Sequence, residues 1–152
     1  MKKILIVIIL TILSSCSGYE RMFVSKENNF QINEIKFLNN SSINKDIARY
    51  LRPYEKNLTE NKINKIKLEI ESTFKENIIS RDSKGDPSMY EMVVNARIIL
   101  NQNQTKKELS FIEKSDYGHQ SSQFELNSYK KNLRENLIRR IVNNIVLELI
   151  NL

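Results

Sequence analysis

Apolar and polar residues alternate along residues 65–100, on both sides of one polar turn. Before the turn, one face carries Ile66, Leu68, Ile70, Ser72 and Phe74. After the turn, one face carries Tyr90, Met92, Val94, Ala96, Ile98 and Leu100. Period-two alternation is typical of strands with one buried face and one wet face. The turn, residues 81–87, contains a glycine, a proline and two aspartates, so the pattern predicts a long antiparallel hairpin over residues 65–100.

From Asn127 to the end of the chain, the hydrophobic period changes to that of a helix. One stripe collects the apolar residues Leu133, Leu137, Ile138, Ile141, Val142, Ile145, Val146 and Leu149. Neither proline nor glycine interrupts this segment. We therefore predict a long amphipathic helix whose apolar face covers the sheet, because no other segment is large enough to do so.

A shorter strand and helix are predicted before the hairpin. Residues 30–38 alternate at nearly period two, which indicates a strand. The polar cluster at 39–42 offers several helix N-caps, and helical spacing follows over residues 43–52. Pro53 should end or bend that helix, since proline disfavours the helical conformation in the preceding residue. Residues 53–64 are expected to form a polar connection, with room for another helical turn.

A further strand is predicted between the hairpin and the last helix. Apolar and polar residues alternate over 106–116, and residues 117–122 read as a loop. The element order is then strand, helix, three strands and helix. This order predicts an α+β fold in which two helices pack on one face of a four-stranded, mostly antiparallel sheet.

The first 16 residues have the pattern of an export signal. Lys2 and Lys3 precede an apolar run at 4–13, and Leu13-Ser14-Ser15-Cys16 follows. The run is shorter than the roughly 20 apolar residues that span a bilayer, and it resembles a cleaved signal with the lipobox of a bacterial lipoprotein. We interpret residues 1–15 as a lipoprotein signal peptide, 16–29 as a lipidated tether and 30–152 as one domain. The alternative is an ordinary secretory signal that happens to contain a cysteine.

Cys16 is the only cysteine in the chain. A lone thiol in an exported protein has no partner for an internal disulfide. Lipidation explains both its number and its position, and two or more acyl chains, palmitate among them, give lasting membrane attachment. Cys16 is therefore predicted to be a membrane tether and not a nucleophile.

The formal charge falls from +6 to +4 when Lys2 and Lys3 leave with the signal peptide. Mild basicity fits an anionic partner such as lipid phosphates or nucleic acid. Export argues against nucleic acid. A surface with scattered lysines and no anionic partner is the alternative interpretation of the charge.

The sequence offers little for catalysis. His119 is the only histidine, and it falls in a polar loop, where a solvated side chain is the simpler interpretation than a catalytic base. We find no serine motif, glycine-rich phosphate loop or paired metal-ligand spacing. We expect no enzyme activity, no metal, and no cofactor apart from the covalent lipid on Cys16.

Two basic features remain as candidates for binding an anion. Arg81 and Lys84 lie in the predicted hairpin turn, where a cation reaches a phosphate without obstruction; a solvated turn is the alternative. The second feature lies along the last helix and comprises Lys130, Lys131, Arg134, Arg139 and Arg140. For that set, the wet face of an amphipathic helix is the favoured interpretation.

The lipobox and the order of elements together resemble the LptE family, the lipopolysaccharide-assembly lipoproteins of Gram-negative outer membranes. The similarity is closest over residues 81–100, where an arginine opens a polar turn and Tyr90-Glu91-Met92-Val93-Val94-Asn95-Ala96 enters the next strand. A second stretch runs from Phe124 through Tyr129, Leu133 and Leu137, and it is similar to the end of alphaproteobacterial members. The resemblance covers nearly the whole mature chain.

The resemblance implies a non-catalytic role on the periplasmic side of the outer membrane. Such proteins sit inside the LptD β-barrel, support its assembly and help hand lipopolysaccharide to the outer leaflet. Arg81 matches the family's arginine implicated in lipopolysaccharide contact, and we expect Lys84 to assist it. A second basic residue of the family has no clear match, the nearest cations being Lys130 and Lys131. The alternative function is an accessory lipoprotein of a periplasmic lipid or solute transporter.

Overall fold

The computed structural model describes residues 30–55, 64–103, 105–118, 120 and 122–152. These residues form a four-stranded sheet in the order β1-β2-β3-β4, with two α-helices on one face. The elements are β1 (Phe30–Phe37), α1 (Ser42–Leu51), β2 (Asn64–Arg81), β3 (Pro87–Gln102), β4 (Thr105–Gly118) and α2 (Gln123–Ile150). Strand β1 is parallel to β2, and the other neighbours are antiparallel. The predicted α+β class and element order are confirmed.

Several predictions fall outside the described residues. They are the signal peptide at 1–15, the tether at 16–29 with Cys16, and the loop residue His119. Within the described ranges, neither helix is long and apolar enough to cross a bilayer.

The boundaries differ from the sequence prediction mainly around residues 117–127. Tyr117 and Gly118 belong to β4, so their assignment to a loop is wrong. Tyr117 pairs with Tyr90 across the sheet and is only 3% exposed. Because its neighbours in the sequence are polar, the local pattern did not indicate this burial. Helix α2 begins at Gln123, four residues before the predicted start at Asn127.

The core lies between the sheet and the two helices. The predicted stripe of α2 is buried from Leu137 to Leu149, while Leu133 is partly buried. Helix α1 adds three buried side chains, Ile43, Ile47 and Leu51. The predicted inward face of the hairpin supplies Ile66, Leu68, Ile70, Met92, Val94, Ala96, Ile98 and Leu100. Burial of these facing apolar surfaces is the main force that holds the layers together.

Helix α1 ends where the sequence predicts. Ser41 is its N-cap, and the Ser41 hydroxyl accepts a hydrogen bond from the backbone N–H of Ile43. At the other end, Leu51 is the last α-helical residue, and Arg52–Tyr54 continue as one 3₁₀ turn with Pro53 inside it. The Tyr54 ring stacks on Phe30, with centroids 5.6 Å apart. This stacking fixes the end of α1 against the first residue of β1.

A buried polar network joins β1, α1 and β2. Asn44 is fully buried, and its amide donates to the backbone carbonyl and side-chain oxygen of Asn39 at 2.8 and 2.7 Å. Its Oδ1 accepts from the Ser72 hydroxyl at 2.6 Å. The Asn39 side chain in turn donates to the backbone carbonyl of Ser72 and accepts from its N–H. Every member is therefore satisfied, as buried polar groups require.

The same network ends the pairing of β1 with β2. The last backbone hydrogen bond runs from Leu38 N–H to the Ile70 carbonyl. The Asn39 side chain then takes the place of a further β1 residue, because it forms hydrogen bonds with both the N–H and the carbonyl of Ser72. Beyond Ser72, residues 73–81 of β2 pair with β3 on one side only, and all of them are exposed. The hairpin thus projects past the end of β1 and α1.

We predict that Asn44→Leu lowers the free energy of unfolding by about 2 kcal/mol, because the buried Ser72 hydroxyl and the half-buried Asn39 oxygens lose the Asn44 amide as a partner. Denaturant unfolding at neutral pH measures this. Asn143→Leu on the exposed side of α2 is the matched control and should change stability by less than about 0.5 kcal/mol. Equal effects of the two substitutions would contradict a structural role for the network.

Candidate ligand-binding tip of the hairpin

The hairpin tip, residues 81–87, is held by its own hydrogen bonds. The Asp82 N–H donates to the Asp86 carbonyl at 2.8 Å, and the Gly85 N–H donates to the Asp82 carbonyl at 3.0 Å. The Asp82 carboxylate accepts from the N–H groups of Lys84 and Asp86, each at 2.9 Å. Gly85 has φ of +88°, a conformation that glycine adopts without the steric cost of a Cβ. The turn is therefore a defined platform for its two cations.

Arg81 and Lys84 both lie on this exposed tip. The Arg81 guanidinium donates through Nη1 to the Gly85 carbonyl at 2.8 Å, which orients the group and leaves other N–H donors available. Among the described residues, neither Arg81 nor Lys84 forms an ion pair. Because Asp82 and Asp86 balance their charge, binding of an anion here depends on directed hydrogen bonds more than on net charge.

Apolar side chains flank the tip. Ile79 lies at an irregularity in the pairing between β2 and β3, and its exposed fraction is 47%. Met89 pairs opposite Ser80, and its exposed fraction is 40%. Cations at the turn and apolar groups just behind it form a surface suited to an amphiphile with a negatively charged head.

A cluster below the tip fastens α2 to the hairpin. Lys130 on α2 donates to the Glu76 carboxylate on β2 at 2.7 Å. Its Nζ also lies 5.6 Å from the ring centroid of Tyr117, within the range of a cation–π contact. Tyr117 stacks on Tyr90 with centroids 5.2 Å apart and contacts Tyr129 at 6.4 Å. These contacts hold the N-terminal part of α2 over β3 and β4.

The cluster shifts the pKa values of its members. Burial raises the pKa of Tyr117 to about 12, and the adjacent Glu76 carboxylate adds to the shift. Burial is the largest single influence on Glu76 and favours its neutral form, but the hydrogen bond and charge of Lys130 together with the Tyr117 hydroxyl outweigh it, so the pKa of Glu76 is lower than usual. For Lys130, burial is the largest single influence and acts to lower the pKa, but Glu76 and Tyr117 together overcome it and raise the pKa. Glu76 and Lys130 therefore stay charged at neutral pH.

The structure does not bring Lys130 to the hairpin tip. Its partner Glu76 precedes Arg81 by five residues in β2, which is roughly 16 Å along a strand. Lys130 is also engaged with Glu76 and Tyr117. The candidate site at the tip therefore contains Arg81 and Lys84 but not Lys130 of α2.

Other cations of α2 are also engaged within the protein. The Arg139 guanidinium lies 4.7 Å from the Tyr50 ring centroid, and Arg49 lies 5.0 Å from the same centroid. Arg140 pairs with Glu113 at 3.2 Å. These contacts join α2 to α1 and to β4, and they favour the interpretation of the basic stripe as a structural and solvated face.

A polar depression of about 260 Å³ lies at the opposite end of the sheet. It is lined by Asn33, Lys65, Lys67, Asn101, Gln102, Asn103 and Thr105. Lys67 is paired with Glu34 at 3.1 Å, and Asn101 donates to Glu69 at 3.3 Å. Across the described ranges, histidine, cysteine and carboxylate side chains form no group of three that could hold a metal ion. Lys65 in this depression also forms no ion pair among the described residues. The hairpin tip is the preferred candidate because the Gly85 carbonyl orients the Arg81 guanidinium there, beside a second cation, Lys84.

Solved structures of bacterial lipoproteins are similar to this chain. The rare lipoprotein B from Shewanella oneidensis matches with a TM-score of 0.56 and 14% identity, over 80% of this chain and 97% of that one. A minor lipoprotein from Acinetobacter baumannii matches with a TM-score of 0.57 and 11% identity, over 80% and 90%. A putative lipoprotein from Caulobacter crescentus matches with a TM-score of 0.56 and 10% identity, over 77% and 88%.

These similarities show that the chain has the fold found in those lipoproteins. No family model matches the sequence, and no curated protein matches it.

Sequence reasoning placed Arg81 and Lys84 in the turn, but it missed the cluster around Tyr117. Glu76 and Lys130 are 54 residues apart, so no local pattern links them. One sequence feature did point to the cluster. In the period-two alternation of β2, Glu76 falls on the same face as Phe74 and Ile78, so a carboxylate is expected on the face that a helix covers.

We predict a coupling of about 1 kcal/mol between Glu76 and Lys130, since both side chains are partly shielded from solvent. A double-mutant cycle with Glu76→Gln and Lys130→Met, followed by denaturant unfolding, measures it. Because the folded-state pKa of Glu76 is lowered, its contribution is present at neutral pH and lost as the pH falls through that pKa. The exposed pair of Glu34 and Lys67 is the control and should show almost no coupling. A coupling for Glu76 and Lys130 that persists unchanged in acid, once Glu76 is protonated, would contradict the assignment.

Proposed function

We propose that this chain is an LptE-like lipoprotein of the outer membrane. A lipid on Cys16 tethers it on the periplasmic side, and the domain fills the lumen of an LptD-type β-barrel, supports that barrel and assists lipopolysaccharide transport to the outer leaflet. The lipobox and the fold shared with bacterial lipoproteins support this proposal. The role is one of binding and support, without catalysis.

The observation that carries the proposal is the reach of the hairpin. Strand β2 has 18 residues, which corresponds to roughly 55 Å at 3.3 Å per residue. The chain enters the domain at Phe30, which pairs with Asn64 at the end of the hairpin opposite the tip. A bilayer with its headgroups is about 40–45 Å thick. A domain tethered near one leaflet can therefore extend Arg81 and Lys84 towards the other leaflet.

The uncovered face of the sheet suits a polar enclosure. Arg97 in its centre contacts Glu71 on β2 and Glu108 on β4. Lys114 pairs with Glu91 on the same face at 3.4 Å. The interior of a large outer-membrane barrel is polar and often water-filled, so the charged pairs of this face suit such an interior.

The tip provides both kinds of contact that lipopolysaccharide needs. Arg81 retains guanidinium donors that can fork onto a phosphate, and Lys84 adds a mobile ammonium group. Ile79 and Met89 supply exposed apolar surface next to these cations. The Asp82 carboxylate accepts hydrogen bonds from backbone N–H groups within the turn, and it therefore faces these donors.

We predict that Arg81→Asp with Lys84→Asp weakens binding to purified lipopolysaccharide by at least about tenfold, the effect of losing one charge-assisted contact. Titration of labelled protein with lipopolysaccharide measures it. The control, Lys65→Asp with Lys106→Asp, makes the same change in net charge at the opposite end of the sheet and should leave the affinity within about twofold. Lys84→Asp alone is the milder variant, since it keeps the hydrogen bond of Arg81. Equal losses in the two double variants, or no loss in either, would overturn the tip assignment.

A further inference from the structure

The hydrogen bonds within the hairpin tip converge on Asp82. Its Oδ1 accepts from the N–H groups of Lys84 and Asp86, each at 2.9 Å. Its backbone N–H donates to the Asp86 carbonyl, and its backbone carbonyl accepts from the Gly85 N–H. An aspartate whose carboxylate accepts from the N–H two residues later forms an Asx turn, which holds a reversal of the chain. Asp82 therefore ties the start of the turn to its end.

Arg81 depends on this turn for its orientation. Its Nη1 donates to the Gly85 carbonyl at 2.8 Å. Gly85 has φ of +88°, and glycine is the residue whose backbone conformation is least restricted. The direction of the Gly85 carbonyl is therefore set by the hydrogen bonds of the turn, and these bonds end on Asp82.

The two aspartates of the tip differ in what their side chains do. Among the described residues, neither aspartate forms an ion pair with either cation of the tip. Asp86 enters the described hydrogen bonds of the turn through its backbone N–H and carbonyl, whereas Asp82 also enters them through its carboxylate. The aspartates thus carry the same charge close to the same cations, but only the Asp82 side chain is an acceptor within the turn.

Charge and hydrogen bonding lead to opposite expectations for Asp82. A carboxylate near a bound phosphate repels it, so by charge alone the loss of either aspartate tightens binding. The hydrogen bonds predict a difference between the two positions. Without Oδ1 of Asp82, the two N–H groups that it accepts turn to water, and the turn samples conformations in which Gly85 no longer orients Arg81.

We propose that Asp82 is a positioning residue for phosphate binding at the tip. Its side-chain oxygen holds the turn so that Arg81 stays anchored through Nη1 and presents its remaining guanidinium donors to the anion. A phosphate accepts two parallel hydrogen bonds from one edge of a guanidinium. What position 82 has to supply is an acceptor and not a negative charge. The inference rests on the proposed function, since the anion is a phosphate group of lipopolysaccharide.

Three substitutions that remove the same charge test this proposal. Asp82→Asn keeps a side-chain oxygen that can accept both N–H groups, and Asp82→Ala removes it. Asp86→Ala is the matched control, because it leaves the hydrogen bonds of Asp82 in place. Titration of the full-length, detergent-solubilised protein with purified lipopolysaccharide compares the three.

We expect Asp82→Ala to bind lipopolysaccharide at least about fivefold more weakly than the wild type, as when the turn holds Arg81 in place for about a fifth of the time. Asp82→Asn and Asp86→Ala should bind at least as tightly as the wild type, since each removes only a charge that repels the phosphate. The tip is exposed, so the thermal unfolding midpoint should be the same for all three variants.

A second measurement asks whether Asp82 acts through Arg81. Arg81→Gln is made in the wild type and in Asp82→Ala, and its cost in affinity should be at least about threefold smaller in the second background, where Arg81 is already misplaced. Amide hydrogen exchange of Lys84 and Asp86, followed by NMR, should be faster in Asp82→Ala than in Asp82→Asn. An equal cost of Arg81→Gln in both backgrounds, or equal exchange rates, would overturn the proposal.

The possible results separate this inference from the proposed function. If Arg81→Asp with Lys84→Asp loses binding while Asp82→Ala and Asp82→Asn bind equally, the positioning role is refuted and the tip assignment stands. Equal weakening by Asp82→Ala and Asp86→Ala also refutes the positioning role. A wild-type protein that does not bind lipopolysaccharide overturns both.

Discussion

The structure depends on burial of the apolar stripe of α2 against the inner face of β3 and β4. Leu137, Ile141 and Ile145 have no exposed surface, and removing apolar area from water is the dominant favourable term in folding. This contact sets the layer arrangement and leaves the opposite face of the sheet for polar surroundings. Near the tip, the contact of Lys130 with Glu76 and Tyr117 replaces apolar packing and keeps the helix aligned with the hairpin.

A small polar network makes the sheet asymmetric. Asn39 bonds the backbone of Ser72 in place of a strand, and Asn44 completes the network from α1. The first strand therefore stops while the hairpin continues as a two- and three-stranded extension. The cationic tip, the proposed binding feature, lies on that extension. Buried polar groups cost stability unless they are satisfied, so their position here fixes where the first strand ends.

Periodicity in the sequence was sufficient to predict the elements and the class of fold. Alternation around Gly85 identified the hairpin, and the stripe through Leu137 and Ile141 identified the long helix, because each pattern is local. The burial of Tyr117 and the partners of Ser72 and Lys130 could not be predicted in this way. These contacts join residues that are distant in the sequence, and they depend on the register of the sheet and on the angle at which α2 crosses it. For the tip, Lys84 lies in the turn as predicted, whereas Arg81 is the last residue of β2. No sequence pattern indicated that the Gly85 carbonyl orients Arg81.

We propose that the hairpin tip contacts lipopolysaccharide while the opposite end of the sheet stays near the tether. Photo-crosslinking in cells tests this most directly, with a photoreactive amino acid placed at Ser83 on the tip or at Lys106 at the other end. Both positions are exposed, so the two probes are comparable. We expect a lipopolysaccharide adduct from position 83 and little or none from position 106. Adducts of equal yield from both positions, or from position 106 alone, would contradict it.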